Sequence, residues 1–539
     1  MPERIKGTLL AVITSALLLS GCTTTSTRIP PRPGHTATPL NAPASATSTA
    51  TAARTPTPQA SLAPASYGPG ADDFPADINP LTGQPAAHPE SLKQPALLVS
   101  ITHFPPEVRP QGGLSFAPWV FEYLIAAGTT RFAAVFYGGM PFPEIQLTGD
   151  CEVREQPFVQ DGILLGNRVW LDRDGDGTQG VDEPGVGGVC IALYDGKGVL
   201  VQQTSSDSNG YYAFNVEAGI YTIEFEAPKD WEFTAPNRGY EDTDSDADRT
   251  TGRIEHIRVT GDARYWDAGL VPPAEPEPDP ASLPPAEIGP VRSARMIHIH
   301  LQNFLQDSCL IYAGSTKEIR GQIPGCATVF KKGDGGIGSM LEISRMEAIA
   351  EENAHNSGSK FNYASNLFSE VTPAGGAPAT QVQMFFSQLN QSQWAYDPAY
   401  QGWLRYVDNT SEQTEFHVDV DRLNGRQIFF ENLIVLFVEH EVLAPLIIDM
   451  HMGQGELENG LLFRDGQMYE IKWSTRSGEY EKATGLRRPI AFLDKDSQPF
   501  PLRPGRSWII IATPYSTLTE KEPGVFKFRI YAPPDAGIY

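Results

Sequence analysis

The densest set of ligand-type side chains in the sequence is Asp172-Arg-Asp174-Gly-Asp176-Gly177-Thr178-Gln-Gly-Val-Asp-Glu183. Carboxylates fall at positions 1, 3, 5 and 12 of a twelve-residue loop, and glycine stands at position 6, where the chain must turn sharply. Calcium is a hard cation that collects oxygen donors, and the backbone carbonyl of Thr178 at position 7 can add one more. The spacing therefore reads as a structural Ca2+ site formed by Asp172, Asp174, Asp176, Thr178 and Glu183, with a solvated acidic turn as the competing reading. The flanking stretches, Gly162 to Leu171 and Val189 to Asp195, read as strands, which argues against a helix–loop–helix setting. A second cluster, Asp242, Asp244, Asp246 and Asp248, repeats the alternation without a closing glutamate. In extended backbone its four carboxylates would share one side, and a bound cation and a solvated loop stay equally open.

A different chemistry is suggested by Arg109, Arg131, Arg292 and Arg295, which stand near the expected ends of strands and starts of helices. Ligands of open α/β sheets collect at such ends, and arginine forks pair with carboxylate or phosphate. Together with Glu122 and Ser293 they define a candidate anion-binding cleft. A structural network locking helix to strand is the alternative for any one of them. Catalytic patterns are weak. Ser357-Gly-Ser-Lys360 lacks the companion segments of a serine acyl-transfer enzyme. His298 and His300, two apart on an expected helix, face different ways. Trp394, Tyr396, Tyr400, Trp403 and Tyr406 could stack on sugar rings, but a core between domains suits them better. The catalytic residues stay unknown.

The elements that must position these groups alternate along the chain. Ala96 to Thr102 reads as a strand, Phe116 to Ala127 as a helix with apolar spacing, and Arg131 to Tyr137 as the next strand. Residues 161–271 switch to strand–turn–strand, rich in glycine and aspartate. Ser293 to Gln306 then reads as a helix, Ser308 to Ala313 as a strand and Ser344 to Asn356 as a helix. From about 415 onward the pattern is mostly β, with strands at Phe416–Val420, Leu433–Val438, Leu446–Met450, Leu461–Phe463, Tyr469–Trp473 and Trp508–Ala512, in a small barrel or sandwich. The expected architecture is multidomain: an α/β host domain interrupted by an all-β Greek-key sandwich, followed by a β-rich C-terminal domain. Insertion at a surface loop is tolerated physically.

At the N-terminus Arg4 and Lys6 precede a short apolar run, Thr8 to Leu19, too short to span a bilayer. Residues 23–71 contain no Asp or Glu and are dominated by Thr, Pro, Ala and Ser, a composition that cannot bury a core and reads as a stalk. Fully extended, that stalk reaches roughly 150 Å. The formal charge of −24 argues against nucleic acid as a partner. Of the four cysteines after Cys22, Cys309 with Cys326 is the more plausible bridge, with free thiols as the alternative.

Three resemblances organise these observations. Leu19-Ser-Gly-Cys22 looks like a bacterial lipobox, which implies cleavage before Cys22 and acylation of its thiol. GNRVWLDRDGDGTQGVDEPGVGGV, SDSNGYYAF and YWDAGL together resemble the SdrD B-like module of bacterial surface proteins, which implies a calcium-stiffened Greek-key sandwich used as a spacer or adhesive stalk. Asn79-Pro-Leu-Thr-Gly83, Arg109-Pro-Gln-Gly-Gly, Gly128-Thr-Thr-Arg131-Phe132 and Ile288-Gly-Pro-Val-Arg292 resemble the YerB-like lipoprotein family, a domain of unknown function. Phe463-Arg-Asp-Gly466 and Pro504-Gly-Arg-Ser-Trp508 match its second, β-rich domain. The family's histidine segment is here Ser365-Asn366-Leu367-Phe368, which leaves Asn366 as the candidate ligand residue.

The domain reading is thus a signal peptide at 1–22, a stalk at 23–76, a host α/β domain at 77–150 plus 287–405, an SdrD B-like sandwich at 161–271, a Pro-rich linker at 272–286 and a C-terminal β-rich domain at 415–535. The expected protein sits on the extracytoplasmic face of a bacterial membrane, tied to the lipid bilayer through acylated Cys22. Its expected role is non-catalytic binding or scaffolding of a cell-wall polymer or surface protein through the Arg-rich cleft. A cell-wall-modifying or hydrolytic enzyme and an adhesin are the alternatives.

Overall fold

The computed structural model describes residue 68 and residues 74–534, apart from 87, 127, 155–161, 181–182, 240–242, 274–282, 331–337, 358–362, 410–411, 445–446, 454 and 456. The signal segment with Cys22, nearly all of the stalk, and Asp242 lie outside the described residues. Gly68 is nevertheless packed: a Cβ there would come within 2.4 Å of the Asn366 carbonyl oxygen. The chain has therefore already reached the folded body by residue 68, short of the stalk boundary expected at 76.

The host is built on one mixed sheet of eleven strands. Three of them come first in the chain: β1 (Leu97–Thr102), β2 (Trp119–Ala126) and β3 (Thr129–Phe136). The order across the sheet is Cys326–Val329, Cys309–Tyr312, β1, β3, β2, Ser507–Ala512, Asn432–Phe437, Glu458–Arg464, Gln467–Ser474 and Ala377–Pro378, with Ala491–Leu493 beside Gln467–Ser474. Strands from before and after the inserted module thus pair directly, since Leu97–Val99 runs parallel to Cys309–Ile311. Phe116 to Ala127 is not the expected helix. Its Val-Phe-Glu-Tyr-Leu-Ile run is buried on both sides and pairs with β3 and Ser507–Ala512, and a short apolar run of this kind does not reveal its period by hydrophobicity alone.

The strands expected after 415 do form, but they do not close into a separate barrel. Asn432–Phe437 and Ser507–Ala512 are inner strands of the host sheet, and Val525–Arg529 pairs in parallel with Gln381–Ser387 in a second, seven-stranded sheet. A boundary near 405–415 therefore runs through shared sheets. Alternation gives the eleven-stranded sheet two covered faces. Val99, Val120, Phe132 and Trp508 point to one core, shared with Trp394, Trp403 and Phe528 of the seven-stranded sheet. Leu98, Phe121 and Tyr123 point to the other, covered by α1 (Met296–Phe304) through Ile297 and Leu301. This helix is the core of the one expected over Ser293 to Gln306.

The inserted module consists of two four-stranded sheets around its own core, which includes Leu165, Val169, Ile191, Phe214 and Phe225. It leans on the host. Tyr211 stacks on Tyr400 at 4.1 Å between ring centroids, and Asn209 Nδ2 donates to the Tyr400 hydroxyl at 3.0 Å. The Arg264 guanidinium donates to the Pro398 carbonyl. Cys151 is bonded to Cys190 and Cys309 to Cys326, so both cysteine pairs are disulfides.

Candidate functional site

The expected cleft divides in two, because residues adjacent in a strand face opposite sides of the sheet. Tyr123 of β2 and Arg131 of β3 are cross-strand partners on the α1 side. Glu122 lies opposite Phe132 and faces the other core.

On the α1 side, Arg131, Arg292 and Arg295 gather around Ser293. Arg131 Nη1 donates to the Ser293 carbonyl at 2.9 Å and to its hydroxyl oxygen at 3.1 Å, and Arg295 Nη1 donates to the same hydroxyl oxygen at 3.2 Å. Arg131 is 6% exposed, and burial pulls its guanidinium down to about 10, with Arg295 and Arg292 adding repulsion. Burial and the neighbouring Arg292 lower Arg295 as well, while Tyr123 opposes the shift. Among the described residues, none of the three arginines has a carboxylate within ion-pairing distance, although a buried charge ordinarily requires one. His298 sits beneath them, held at about 3 by burial and by the two nearby arginines. Its Nδ1 lies 2.9 Å from the Arg295 backbone nitrogen and its Nε2 3.4 Å from the Tyr123 hydroxyl.

On the opposite face, Glu122 is sealed and satisfied. It accepts Thr130 Oγ1 at 2.9 Å and Trp508 Nε1 at 3.0 Å. Burial raises its carboxyl, and Arg405 is the main opposing influence. Arg405 is fully buried, 4.7 Å from the Trp508 ring centroid, and is ion-paired to Asp419. Arg109 belongs to this side, donating to the Asp408 carbonyl at 2.7 Å and to His103 Nε2 at 3.0 Å. A structural network is what these groups form. Asn366 belongs to neither group: its Nδ2 donates to the Ile490 carbonyl at 2.9 Å, tying two loops. Arg405 and Asp419 escaped the sequence reading because an arginine in the aromatic strand Gly402–Asn409 gives no sign of its partner.

The acidic loop of the module is well ordered. Asp172, Asp174 and Asp176 each bring a carboxylate oxygen within 4.8 Å of the others. Asp172 accepts the N–H groups of Gly175 at 2.6 Å and Gly177 at 2.9 Å, which wraps the loop around it. Gly177 has φ +84°, and a Cβ there would lie 2.6 Å from the Ala235 carbonyl oxygen, so glycine is required. Glu183 closes the loop by accepting the Arg173 N–H at 2.6 Å and the Gly180 N–H at 2.8 Å. Burial raises its carboxyl, with repulsion from Asp172 and Asp174 adding to the shift. The three converging aspartates supply hard oxygen donors of the kind that suit a Ca2+ ion, while Glu183, turned to the Arg173 and Gly180 N–H groups, is not among the carboxylates that converge.

Of the second acidic cluster the described members, Asp244, Asp246 and Asp248, do not converge. Asp244 is bridged to Thr178 beside the first loop, and Asp246 accepts the Asp267 N–H at 2.8 Å. Asp248 caps its own turn through Thr250 and Thr251. The Asp244 bridge to Thr178 lays this segment against the acidic loop and takes it out of the extended geometry that would align the carboxylates.

Comparison with known families follows this division. Residues 81–145 match the N-terminal domain and residues 382–509 the C-terminal domain of the protein of unknown function DUF3048, and residues 163–270 match the SdrD B-like domain. The chain carries both DUF3048 domains with an SdrD B-like domain between them. Arg292, Ser293 and Arg295 fall between the matched DUF3048 segments. The module is similar to part of the "Fibrinogen-binding protein" of Staphylococcus epidermidis, 39% identical over 97 residues, which are 18% of this chain and 8% of that one. It is similar also to part of the "Bone sialoprotein-binding protein" of Staphylococcus aureus (strain MRSA252), 40% identical over 109 residues, 20% of this chain and 9% of the relative. The chain thus spans less than a tenth of either relative. Among solved structures, YerB from Bacillus subtilis aligns with 81% of this chain and 96% of its own, at 16% identity and a TM-score of 0.42. No helix among the described residues is long and apolar enough to cross a membrane.

Proposed function

We propose that this chain is a cell-surface binding protein, lipid-anchored through Cys22, whose DUF3048 host takes an anionic group of an envelope polymer or surface protein at Arg131, Arg292 and Arg295. The observation that carries this reading is the gathering of three guanidiniums, one of them buried, without a carboxylate among the described residues. A set of fixed charges that lacks an internal counter-ion is suited to an external one. The SdrD B-like module, stiffened by Ca2+, serves as a brace for the host, which its contacts at Tyr400 and Pro398 support. The surface location rests on the lipobox and on the kinship of the module to surface proteins.

The alternative of a hydrolytic enzyme needs an acid open to substrate, and Glu122 is enclosed and paired. The adhesin alternative rests on relatives of which the module covers under a tenth. The test is cosedimentation of the full chain with isolated cell-envelope fractions. Wild-type protein is retained, Arg292→Ala with Arg295→Ala is released, and retention of that variant would overturn the reading.

A further inference from the structure

Resting on that reading, we infer that the group held at Arg131, Arg292, Ser293 and Arg295 is a tetrahedral phosphoryl oxyanion. The lone pairs of Ser293 are already committed. Its carbonyl oxygen accepts Ser100 Oγ at 3.1 Å and Arg131 Nη1 at 2.9 Å. Its hydroxyl oxygen accepts Arg131 Nη1 at 3.1 Å and Arg295 Nη1 at 3.2 Å. A hydroxyl has two acceptor lone pairs and one proton, so what remains to Ser293 is its O–H donor. Guanidinium groups have no acceptor at all. These four side chains therefore offer donors only. A sugar hydroxyl or an amide would leave its own N–H or O–H without a partner there, whereas a fully ionised oxyanion only accepts.

Two further facts separate phosphoryl from carboxylate. The donors come from three separate elements: Arg131 from β3, Arg292 and Ser293 from the segment that lies antiparallel beside the end of β1, and Arg295 from the N-cap of α1. A carboxylate presents its lone pairs near one plane, while a phosphoryl group presents three oxygens around a tetrahedron. Charge points the same way. Three guanidiniums are matched better by a phosphoryl group of charge about −1.5 to −2 than by a carboxylate of −1. The N-terminus of the nine-residue α1 adds positive potential at the same place. His298, being neutral, adds no fourth cation.

The test is calorimetric titration of the full chain with inorganic phosphate and with acetate at fixed ionic strength. Phosphate is expected to bind at one site per chain and acetate about tenfold more weakly or worse. Ser293→Ala, which removes only the hydroxyl, weakens phosphate about tenfold while its melting temperature reports that the fold is kept. Vesicles containing phosphatidic acid and a soluble polymer bearing phosphomonoester groups then separate a lipid headgroup from a polymer as the source, and capture of either supports the inference. Acetate binding as tightly as phosphate overturns the phosphoryl assignment and leaves the anion site standing. Binding of neither anion overturns both.

Discussion

Glu122 and Tyr123, consecutive in β2, face opposite sides of the central sheet, and this parity separates a structural ion network from the anion site. Glu122 holds the buried Arg405 side of the sheet together, while Tyr123 lies under the arginines beside α1.

Removing the Glu122 carboxylate should therefore damage the fold rather than the site. Glu122→Ala strands Trp508 Nε1 and Thr130 Oγ1 and weakens compensation of Arg405, a loss of about 1–3 kcal/mol for buried donors left without an acceptor. Glu122→Gln keeps an acceptor and should cost less. Urea unfolding of the two variants checks this, and equal stability of Glu122→Ala and wild type would refute it.

The proposed calcium site predicts a stability that depends on the ion. Asp174 and Asp176 are exposed and contribute chiefly to local turns, so Asp174→Asn with Asp176→Asn should fold yet lose the calcium-dependent rise in melting temperature. Half-saturation in the wild type is expected at about 10⁻⁴–10⁻³ M, the range of extracellular modules. A melting temperature that chelator leaves unmoved in wild-type protein contradicts the assignment.

Asp207 gives the contact between module and host a pH dependence. Burial pushes its carboxyl up to about 7, partly offset by the Tyr400 hydroxyl. The folded state then keeps a proton that the unfolded chain releases from about pH 4 upward, so stability falls as pH rises through that window. Asp207→Asn preserves the oxygen that accepts the Asn209 and Tyr211 N–H groups at 3.0 Å and removes the penalty. It should gain about 1–3 kcal/mol at pH 7.5 and almost nothing at pH 4. Parallel pH–stability curves for variant and wild type would count against it.

Cys309 and Cys326 are cross-strand partners at the sheet edge and close a loop with a sequence separation of 17. Replacing both by serine should cost about 3 kcal/mol through the freed unfolded chain. Thermal melts of wild type and the double-serine variant, both without reductant, measure it. Their coincidence would show that the bridge contributes nothing.

Much of this architecture was legible in the sequence, and the failures have physical causes. The glycine–aspartate pattern of 161–271 marks its turns, and the β-branched runs at Leu433–Val438 and Trp508–Ala512 mark strands by residue type although both are buried on both faces. Trp119–Ala126 is buried in the same way but has fewer β-branched residues, so neither alternation nor residue type separates it from a helix. Mistaking it for a helix hid the parity of Glu122 and so joined two sites into one. Arg131, Arg292, Ser293 and Arg295 were all named for one cleft from the sequence, but the bonds that join Arg131 to Ser293, 162 residues apart, are long-range pairing that no local pattern displays. The Cys151–Cys190 bridge, spanning the entrance to the module, left no local signal either.

The central claim is that an external anion completes the charge of Arg131, Arg292 and Arg295. Its most direct measurement is a side-by-side titration of wild type and Arg292→Gln/Arg295→Gln with soluble anionic envelope polymer. The account predicts saturable binding by the wild type and at least about a tenfold loss in the variant, with unchanged melting of the calcium-loaded module. Superimposable isotherms for the two proteins would contradict it.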